Sequence, residues 1–190
     1  PLGMALKLHL LSGKAIEKQK NSEYKKYQIE IKKKEFNLSY EQGNALEELI
    51  KNDNSFRVHL LQGTTGSGKT IVYFKAIEKI IHQVKQSLIL LPEIGLTGEF
   101  EKKFKNFFGF EAAVWHSKIT PKRKKIIWSG LANGEIKVVI GARSALFLPF
   151  KKLGLIIVDE EHDQSFKQDE GVTYNARDMA CLLYTSDAAD

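Results

Sequence analysis

The sequence contains a single cysteine, Cys181, and this scarcity excludes two classes of protein. One thiol cannot form an internal disulfide framework or supply a cysteine-rich zinc cluster, and nothing in its use requires an oxidising compartment. Long apolar runs are also missing: none approaches the length that crosses a membrane, and the amino terminus lacks the apolar core of a signal peptide. The composition therefore predicts a soluble, intracellular protein with no membrane partner.

Negatively charged residues are fewer than positively charged ones. The sequence has 29 lysines and arginines and 23 aspartates and glutamates, which gives a net charge of +6. The excess is uneven: residues 1–36 hold nine lysines and four glutamates. A basic amino-terminal segment of this kind favours a polyanionic partner, although a solvated lysine face explains it equally well. The length of 190 residues allows one domain with a buried core, and no internal repeat is visible.

Apolar strand-like runs alternate with amphipathic helical segments through the middle of the chain. Strands are predicted at RVHLLQ, SLILLP, EAAVW, IKVVIG and LGLIIVD. One helix is predicted after Ser39, with Gln42 at the capping-box position, a second from Lys69 to about Gln83, and another opened by Thr120 and Pro121. We therefore predict an α/β domain over residues 37–180, with a parallel sheet covered by helices on both faces.

The two ends differ from this middle. Residues 1–36 carry no catalytic motif, and we expect a linker or the edge of a missing upstream domain, with enough alternation from Tyr24 to Ile31 for a short strand. Residues 181–190 read CLLYTSDAAD and match one frame of a transposon adapter used in sequencing libraries. We interpret them as a non-native read-through tail, and a frayed native terminus is the alternative.

The strongest chemical signal is GTTGSGKT, residues 63–70, which we call the phosphate cradle. In the pattern G-x-x-x-x-G-K-[ST], glycines let the backbone approach an anion, so that N–H groups and a helix N-terminus face phosphates. Lys69 is expected to reach the β and γ phosphates of ATP, and the Thr70 hydroxyl to ligate Mg²⁺. A glycine-rich turn without a ligand is the alternative. The other predicted binding residues of the cradle are Gly63, Thr64, Thr65, Gly66, Ser67 and Gly68.

A second signal is DEEH, residues 159–162, which follows the apolar run LIIV and which we call the acidic box. Open α/β sheets bind ligands at the carboxyl ends of their strands. Beside a cradle, Asp159 is expected to hold the Mg²⁺ shell, and Glu160 to orient or deprotonate the attacking water. Lys69, Asp159 and Glu160 are the predicted catalytic residues. Without the cradle, an Asp–Glu pair would be better explained as a solvated strand end.

These motifs closely resemble the PriA family of bacterial replication-restart DNA helicases (primosomal protein N-prime), within superfamily 2. The resemblance covers roughly residues 37–180, in the family's order, and rests on LLQGTTGSGKT, LILLPEIGLT, WHS, VVIGARSALFLPF and LGLIIVDEEHDQSFKQDEGVTYNARDMA. It implies the first RecA-like, P-loop NTPase lobe of an ATP-dependent 3′-to-5′ DNA helicase in the bacterial cytoplasm. The implied partners are forked and single-stranded DNA, other primosome proteins and the single-stranded-DNA-binding protein. Zinc is implied only in a missing C-terminal part.

The resemblance also implies roles for residues outside the two motifs. Gln42 stands where related helicases use a glutamine against adenine, and helix capping is its alternative. Thr97, Arg143 and Ser144 fall in motifs that hold the nucleic-acid backbone. For Arg143, a surface helix-cap cation is the other interpretation. Glu99, where the family more often has glutamine, places an anion near this track and argues against contacts at that turn.

The segment after the acidic box, DQSFKQDEGVTY at residues 163–174, resembles the aromatic-rich loop by which such helicases sense single-stranded DNA; we call it the coupling loop. Phe166 and Tyr174 are expected to stack on bases, and Lys167 and Arg177 to contact phosphates. His162 is expected to link the box to this loop. The alternative is that the two aromatic residues only pin a surface loop.

Two further functions stay open at this point. The chain fits a P-loop ATPase module whose output is binding or signalling, and it fits a superfamily 2 translocase that moves on duplex DNA without separating the strands. In every case we expect the fragment alone to be inactive, because the resemblance places a required second lobe outside it.

Overall fold

A computed structural model describes residue 27 and residues 36–51, 57–96, 98–169 and 173–186. Within these ranges the helices are α1 (Tyr40–Leu49), α2 (Lys69–His82), α3 (Gly98–Phe108), α4 (Pro121–Ala132) and α5 (Ala176–Ser186). The strands are β1 (Gln86–Leu90), β2 (Ala113–Trp115), β3 (Val138–Gly141), β4 (Leu153–Val158), β5 (Lys167–Gln168) and β6 (Tyr174–Asn175). Short 3₁₀ helices lie at Glu93–Gly95, Arg143–Phe147 and Gln164–Phe166.

The main sheet has four parallel strands in the order β2-β3-β1-β4. Its register aligns Leu88 of β1 with Val139 of β3 on one side and with Ile156 of β4 on the other. All four strands therefore end at the same edge, where parallel α/β sheets place their ligands. β5 and β6 form a separate antiparallel pair, with β5 in the coupling loop and β6 at its end.

Alternate residues of the strands enter two different hydrophobic clusters. Leu88 and Val139 pack on one face with side chains of α4 and α5, while Ile89 and Ile140 pack on the other with side chains of α2 and α3. This period of two is the pattern of a sheet buried on both sides. The predicted architecture, a parallel sheet with helices on both faces, is confirmed.

Two predicted helix starts are confirmed by their caps. The Ser39 hydroxyl accepts a hydrogen bond from the Gln42 backbone N–H at 3.2 Å, and the Gln42 side chain accepts one from the Ser39 N–H at 3.0 Å, which completes a capping box. The Thr120 hydroxyl accepts from the Arg123 N–H at 3.3 Å, with Pro121 at the first helical position. Both helices begin where their sequence signals place them.

One predicted strand is wrong. RVHLLQ, residues 57–62, forms no strand in the described structure, and Val58 and Leu60 are 69% and 70% exposed. Alternating apolar residues indicate the capacity to form a strand, but a strand also needs a neighbour for its backbone groups. β4 likewise departs from expectation: in the part of the chain described here it pairs with β1 alone, and it is half-buried along its whole length.

Some predictions fall on residues that the structure does not describe. These are Thr97, most of the basic segment before residue 36, and residues 187–190. Residues 181–186 continue α5, which does not bear on their origin, so the proposed domain limits stay predictions. Among the described helices, none has both the length and the apolar character needed to span a membrane.

Candidate active site

The phosphate cradle is an irregular turn that leads directly into α2. Gly66 and Gly68 both have φ near +83°, a left-handed conformation that side chains with a Cβ rarely adopt. A Cβ at Gly68 would also collide with the Gln42 amide. The glycines thus permit a backbone path that points the N-terminus of α2 into the turn, which is the geometry of a phosphate site.

Lys69 folds back over the turn that precedes it. Its ammonium donates hydrogen bonds to the carbonyl oxygens of Gly63 at 2.6 Å and Thr64 at 3.3 Å. Thr65 and Ser67 are exposed on the same turn, and Thr70 is half-buried in the first turn of α2. The cation therefore already lies against the loop that is predicted to hold phosphates.

Gln42 joins α1 to the cradle. While its Oε1 completes the capping box, its Nε2 donates to the Ser67 carbonyl at 2.9 Å. The capping interpretation is thus confirmed, and the same side chain also lies at the cradle. Its contact with adenine stays a prediction.

Tyr73 connects the cradle helix to the acidic box. Its hydroxyl donates to Asp159 Oδ2 at 2.8 Å, and the residue is only 6% exposed. Asp159 follows β4, its backbone N–H donates to the Leu90 carbonyl at 3.0 Å, and its Oδ1 accepts from the Glu160 N–H at 3.1 Å. The predicted cradle and box are therefore neighbours. Sequence reasoning missed Tyr73, although its position three residues after Thr70 places it on the same side of α2.

The surroundings of Tyr73 keep its hydroxyl in the protonated state. Burial raises its pKa well above the usual range, and the negative charge of Asp159 raises it further, against a smaller opposing effect of the Thr70 hydroxyl. A phenol with a raised pKa stays a hydrogen-bond donor at every physiological pH. Asp159 accordingly acts as the acceptor in this pair.

Glu160 has an unusual backbone conformation for a residue with a side chain. Its φ is +52°, in the left-handed region, where such residues carry a conformational cost of about 1–3 kcal/mol. Its carboxylate is exposed and lies 3.6 Å from His162 Nε2. The turn thereby directs Glu160 into solvent while Asp159 stays against the protein.

Arg143 and Arg177 anchor the coupling loop. Arg143, at the carboxyl end of β3 beside the half-buried Ser144, donates to the carbonyls of Ser165 at 3.1 Å and of Lys167. Arg177 pairs with Glu161 of the acidic box at 3.1 Å and with Asp178 at 3.6 Å. Both guanidinium groups were expected on DNA phosphates. In this structure they bind carbonyls and carboxylates of the protein, and their contacts with DNA phosphates stay a prediction.

The two aromatic residues of the coupling loop have different environments. Phe166 is 2% exposed and belongs to the core cluster below α4 and α5, so the structure contradicts base stacking by this ring. Tyr174 is half-buried and packs edge-on against Phe147, with ring centroids 5.5 Å apart. Lys167 is exposed and pairs with Asp169 at 3.1 Å. Of the two predicted stacking residues, only Tyr174 keeps accessible surface.

The residues present fit a metal ion that arrives with a nucleotide. In the described part of the chain, no group of three histidine, cysteine, aspartate or glutamate residues converges as a metal site. Thr70 and Asp159 both adjoin the Tyr73 hydroxyl. A hydroxyl and a carboxylate suit Mg²⁺, which takes its remaining ligands from phosphates and water.

The chain matches known proteins over most of its length. Residues 35–184 match the family model described as type III restriction enzyme, res subunit. The replication restart protein PriA of Rickettsia felis is 49% identical over 152 residues, which cover 80% of this chain and 23% of that protein. PriA of Bacillus subtilis is 42% identical over 145 residues, covering 75% of this chain and 18% of that protein. The chain thus spans less than a quarter of these relatives.

A solved structure shares the fold. The structure of RecG bound to a three-way DNA junction superimposes with a TM-score of 0.60 and 29% sequence identity. The match covers 86% of this chain and 26% of the RecG chain.

Proposed function

The chain belongs to the family described as type III restriction enzyme, res subunit, and we propose that it is the ATP-binding lobe of a DNA helicase that acts in replication restart. The observation that carries the proposal is the junction of cradle and box, where Tyr73 of the cradle helix hydrogen-bonds Asp159 at 2.8 Å. The similarity to PriA proteins, 42% identical or more in the relatives compared, supports the replication-restart role.

ATP bound with Mg²⁺ would supply a phosphoryl group for transfer to water. In this proposal Lys69 leaves the carbonyls of Gly63 and Thr64 for the phosphates, since an anion is a stronger partner for an ammonium than a neutral carbonyl. Thr70 and Asp159 would hold the metal and its bound waters. Glu160, which is exposed beside them, would orient the attacking water and accept its proton.

DNA is the proposed substrate, in the form of forks and single strands. One relative by structure is RecG bound to a three-way DNA junction, and the relatives by sequence are replication restart proteins. We extend the proposal to other primosome proteins and the single-stranded-DNA-binding protein as partners, and to the bacterial cytoplasm as location.

The coupling loop offers a route from DNA to the ATP site. Tyr174 and Lys167 keep accessible surface for a single strand, while Arg143 ties the loop to the end of β3 and Arg177 ties α5 to the acidic box. A strand that displaces the loop would therefore pull on both arginine contacts. Glu161 lies next to Glu160, so the second contact leads directly to the proposed catalytic residue.

The test is strand separation by the full-length protein. A forked duplex with a 3′ single-stranded arm should be unwound only when ATP and Mg²⁺ are present, and Asp159→Ala should abolish unwinding. If ATP is hydrolysed and a third strand is displaced from a triplex while forks stay paired, the protein is a duplex translocase. Hydrolysis that is insensitive to any DNA would indicate an ATPase module with another output.

A further inference from the structure

Tyr73 occupies a place between the two predicted metal-binding side chains. Thr70 and Tyr73 are three residues apart on α2, so their side chains share a side of the helix. Asp159 approaches from the end of β4 and accepts the Tyr73 hydroxyl at 2.8 Å. One phenol thus adjoins the hydroxyl of one expected ligand and the carboxylate of the other.

The Tyr73 ring is held firmly enough to fix the position of its hydroxyl. The residue is 6% exposed, and the ring packs edge-on against Phe74 with centroids 5.3 Å apart. Both carboxylate oxygens of Asp159 accept hydrogen bonds, Oδ1 from the Glu160 N–H and Oδ2 from Tyr73. Without the second bond, only the Glu160 N–H restrains the carboxylate, and other side-chain rotamers of this half-buried aspartate become accessible.

We propose that Tyr73 is a positioning residue whose hydroxyl holds the Asp159 carboxylate beside Thr70, so that α2 and β4 present a prearranged pair of metal ligands. The inference rests on the proposed function of the site as a place for Mg²⁺ and nucleotide. Hydrogen bonds to a ligating carboxylate hold it in the orientation that the metal needs, and losing such a partner usually lowers metal affinity about ten- to a hundredfold. The phenol touches neither phosphate nor water in this role.

Tyr73→Phe in the full-length protein tests the role, because it removes the hydroxyl and keeps the packed ring. The probe is a fluorescent ADP analogue, titrated at a series of Mg²⁺ concentrations. We expect the Mg²⁺ concentration for half-maximal enhancement of ADP binding to rise about ten- to a hundredfold, the usual effect of losing such a partner. Binding without Mg²⁺ should be unchanged.

Two further variants sharpen the test. Tyr40→Phe removes a hydroxyl from a residue that is 84% exposed at the start of α1, and its Mg²⁺ response should equal that of the wild type. Asp159→Asn should lose most of the Mg²⁺ response, and adding Tyr73→Phe to it should cause no further change, because the charged carboxylate that Tyr73 positions for the metal is already gone.

The outcomes separate this inference from the proposed function. If wild-type protein binds the ADP analogue with no dependence on Mg²⁺, the proposed site fails and the role of Tyr73 fails with it. If the wild type responds to Mg²⁺ and Tyr73→Phe responds identically, only the Tyr73 role is overturned. A lower melting temperature with an unchanged Mg²⁺ response would show that the hydroxyl is merely structural, which also overturns the role.

Discussion

Asp159 and Glu160 are adjacent in the chain, but their carboxylates have different surroundings. Asp159 is half-buried and accepts two hydrogen bonds, from Tyr73 and from the Glu160 N–H. The Glu160 side chain is 61% exposed and turned into solvent by a left-handed backbone. A fixed acceptor suits a metal shell, and an accessible one suits a water molecule, so the two acids are expected to fail in different ways when replaced.

Glu160→Gln should therefore retain binding of ATP with Mg²⁺ and lose hydrolysis by about two to four orders of magnitude, the usual contribution of a general base. The amide keeps the shape of the side chain but cannot accept a proton. Nucleotide binding by fluorescence and single-turnover hydrolysis in the full-length protein measure the two effects separately. Loss of nucleotide binding would contradict this division of roles.

The type of residue at each position of the site was easier to predict than the direction in which its side chain points. Motif spacing indicated Lys69, Thr70, Asp159 and Glu160, because a phosphate cradle requires those residue types at those positions. Phe166 lies in a polar stretch and was expected to face DNA. With no base to cover it, an exposed phenyl ring forfeits about 1.5–3 kcal/mol of burial free energy, and the ring turns inward. Such choices depend on contacts that are distant in sequence.

At the scale of elements, α2 combines two tasks. Its first turn completes the cradle, and one turn later Tyr73 reaches Asp159 at the end of β4. The other side of α2 is buried. There Phe74 packs among the aromatic rings of α3, and Ile77 is fully buried. Packing against α3 therefore fixes the rotation of α2 and, with it, the distance between cradle and box.

The coupling loop yields a prediction that separates its two aromatic residues. Phe166→Ala should lower the free energy of unfolding by about 3–5 kcal/mol, because it empties a buried site. Tyr174→Ala should keep basal ATP hydrolysis and lose most of its stimulation by single-stranded DNA, because stacking contributes about 1–3 kcal/mol per base. Denaturant unfolding and ATPase assays with and without DNA measure both.

The reverse assignment would contradict this account of the coupling loop. If Tyr174→Ala only lowers stability and leaves the stimulation ratio unchanged, the loop does not sense DNA through this ring. If Phe166→Ala leaves stability unchanged, its burial in the core cluster is not what holds the loop in place.

Gln86 illustrates what element prediction from sequence omits. It is 1% exposed, and its side chain donates to the carbonyls of Leu131 and Ile136 and accepts from the N–H groups of Lys151 and Lys152. One amide thus ties the ends of α4, β3 and β4 together. Local pattern identifies the strand that Gln86 begins, but its partners lie 45 to 66 residues away and leave no local signal.

At the scale of the whole molecule, the parallel sheet separates two charged edges. The cradle and box lie at the carboxyl ends of the strands, whereas Lys137, Lys151 and Lys152 surround a cavity of about 280 Å³ near the amino ends. Alternation along the chain predicted the parallel sheet and its two covered faces. It did not predict the order β2-β3-β1-β4 or the unpaired RVHLLQ segment, because periodicity identifies elements and not their neighbours.

The three lysines around this cavity predict that the stability of the fold depends on salt concentration. Burial lowers the pKa of Lys137, and repulsion by Lys151 and Lys152 lowers it further. Its charge therefore disfavours the folded state below the folded-state pKa, and the penalty is relieved as the pH rises towards the usual lysine value. Lys137→Gln should raise the melting temperature at low salt, with the gain shrinking as salt screens the repulsion.

Lys103→Gln is the matched control for this prediction. It removes the same unit of charge from an exposed position on α3, four residues after Glu99, a spacing at which opposite charges on a helix attract each other. It should not raise the melting temperature. Equal gains from both variants would mean that the net charge of the protein, and not the lysine cluster, controls the effect.

The central claim is that the phosphate cradle and the acidic box form one site for ATP hydrolysis, and that single-stranded DNA stimulates this hydrolysis. Steady-state ATP hydrolysis by the full-length protein, with and without single-stranded DNA, tests it most directly when wild type is compared with Lys69→Ala. We predict Mg²⁺-dependent hydrolysis that single-stranded DNA stimulates in the wild type, and almost none under either condition in Lys69→Ala at an unchanged melting temperature. Near-normal hydrolysis by Lys69→Ala would contradict the claim.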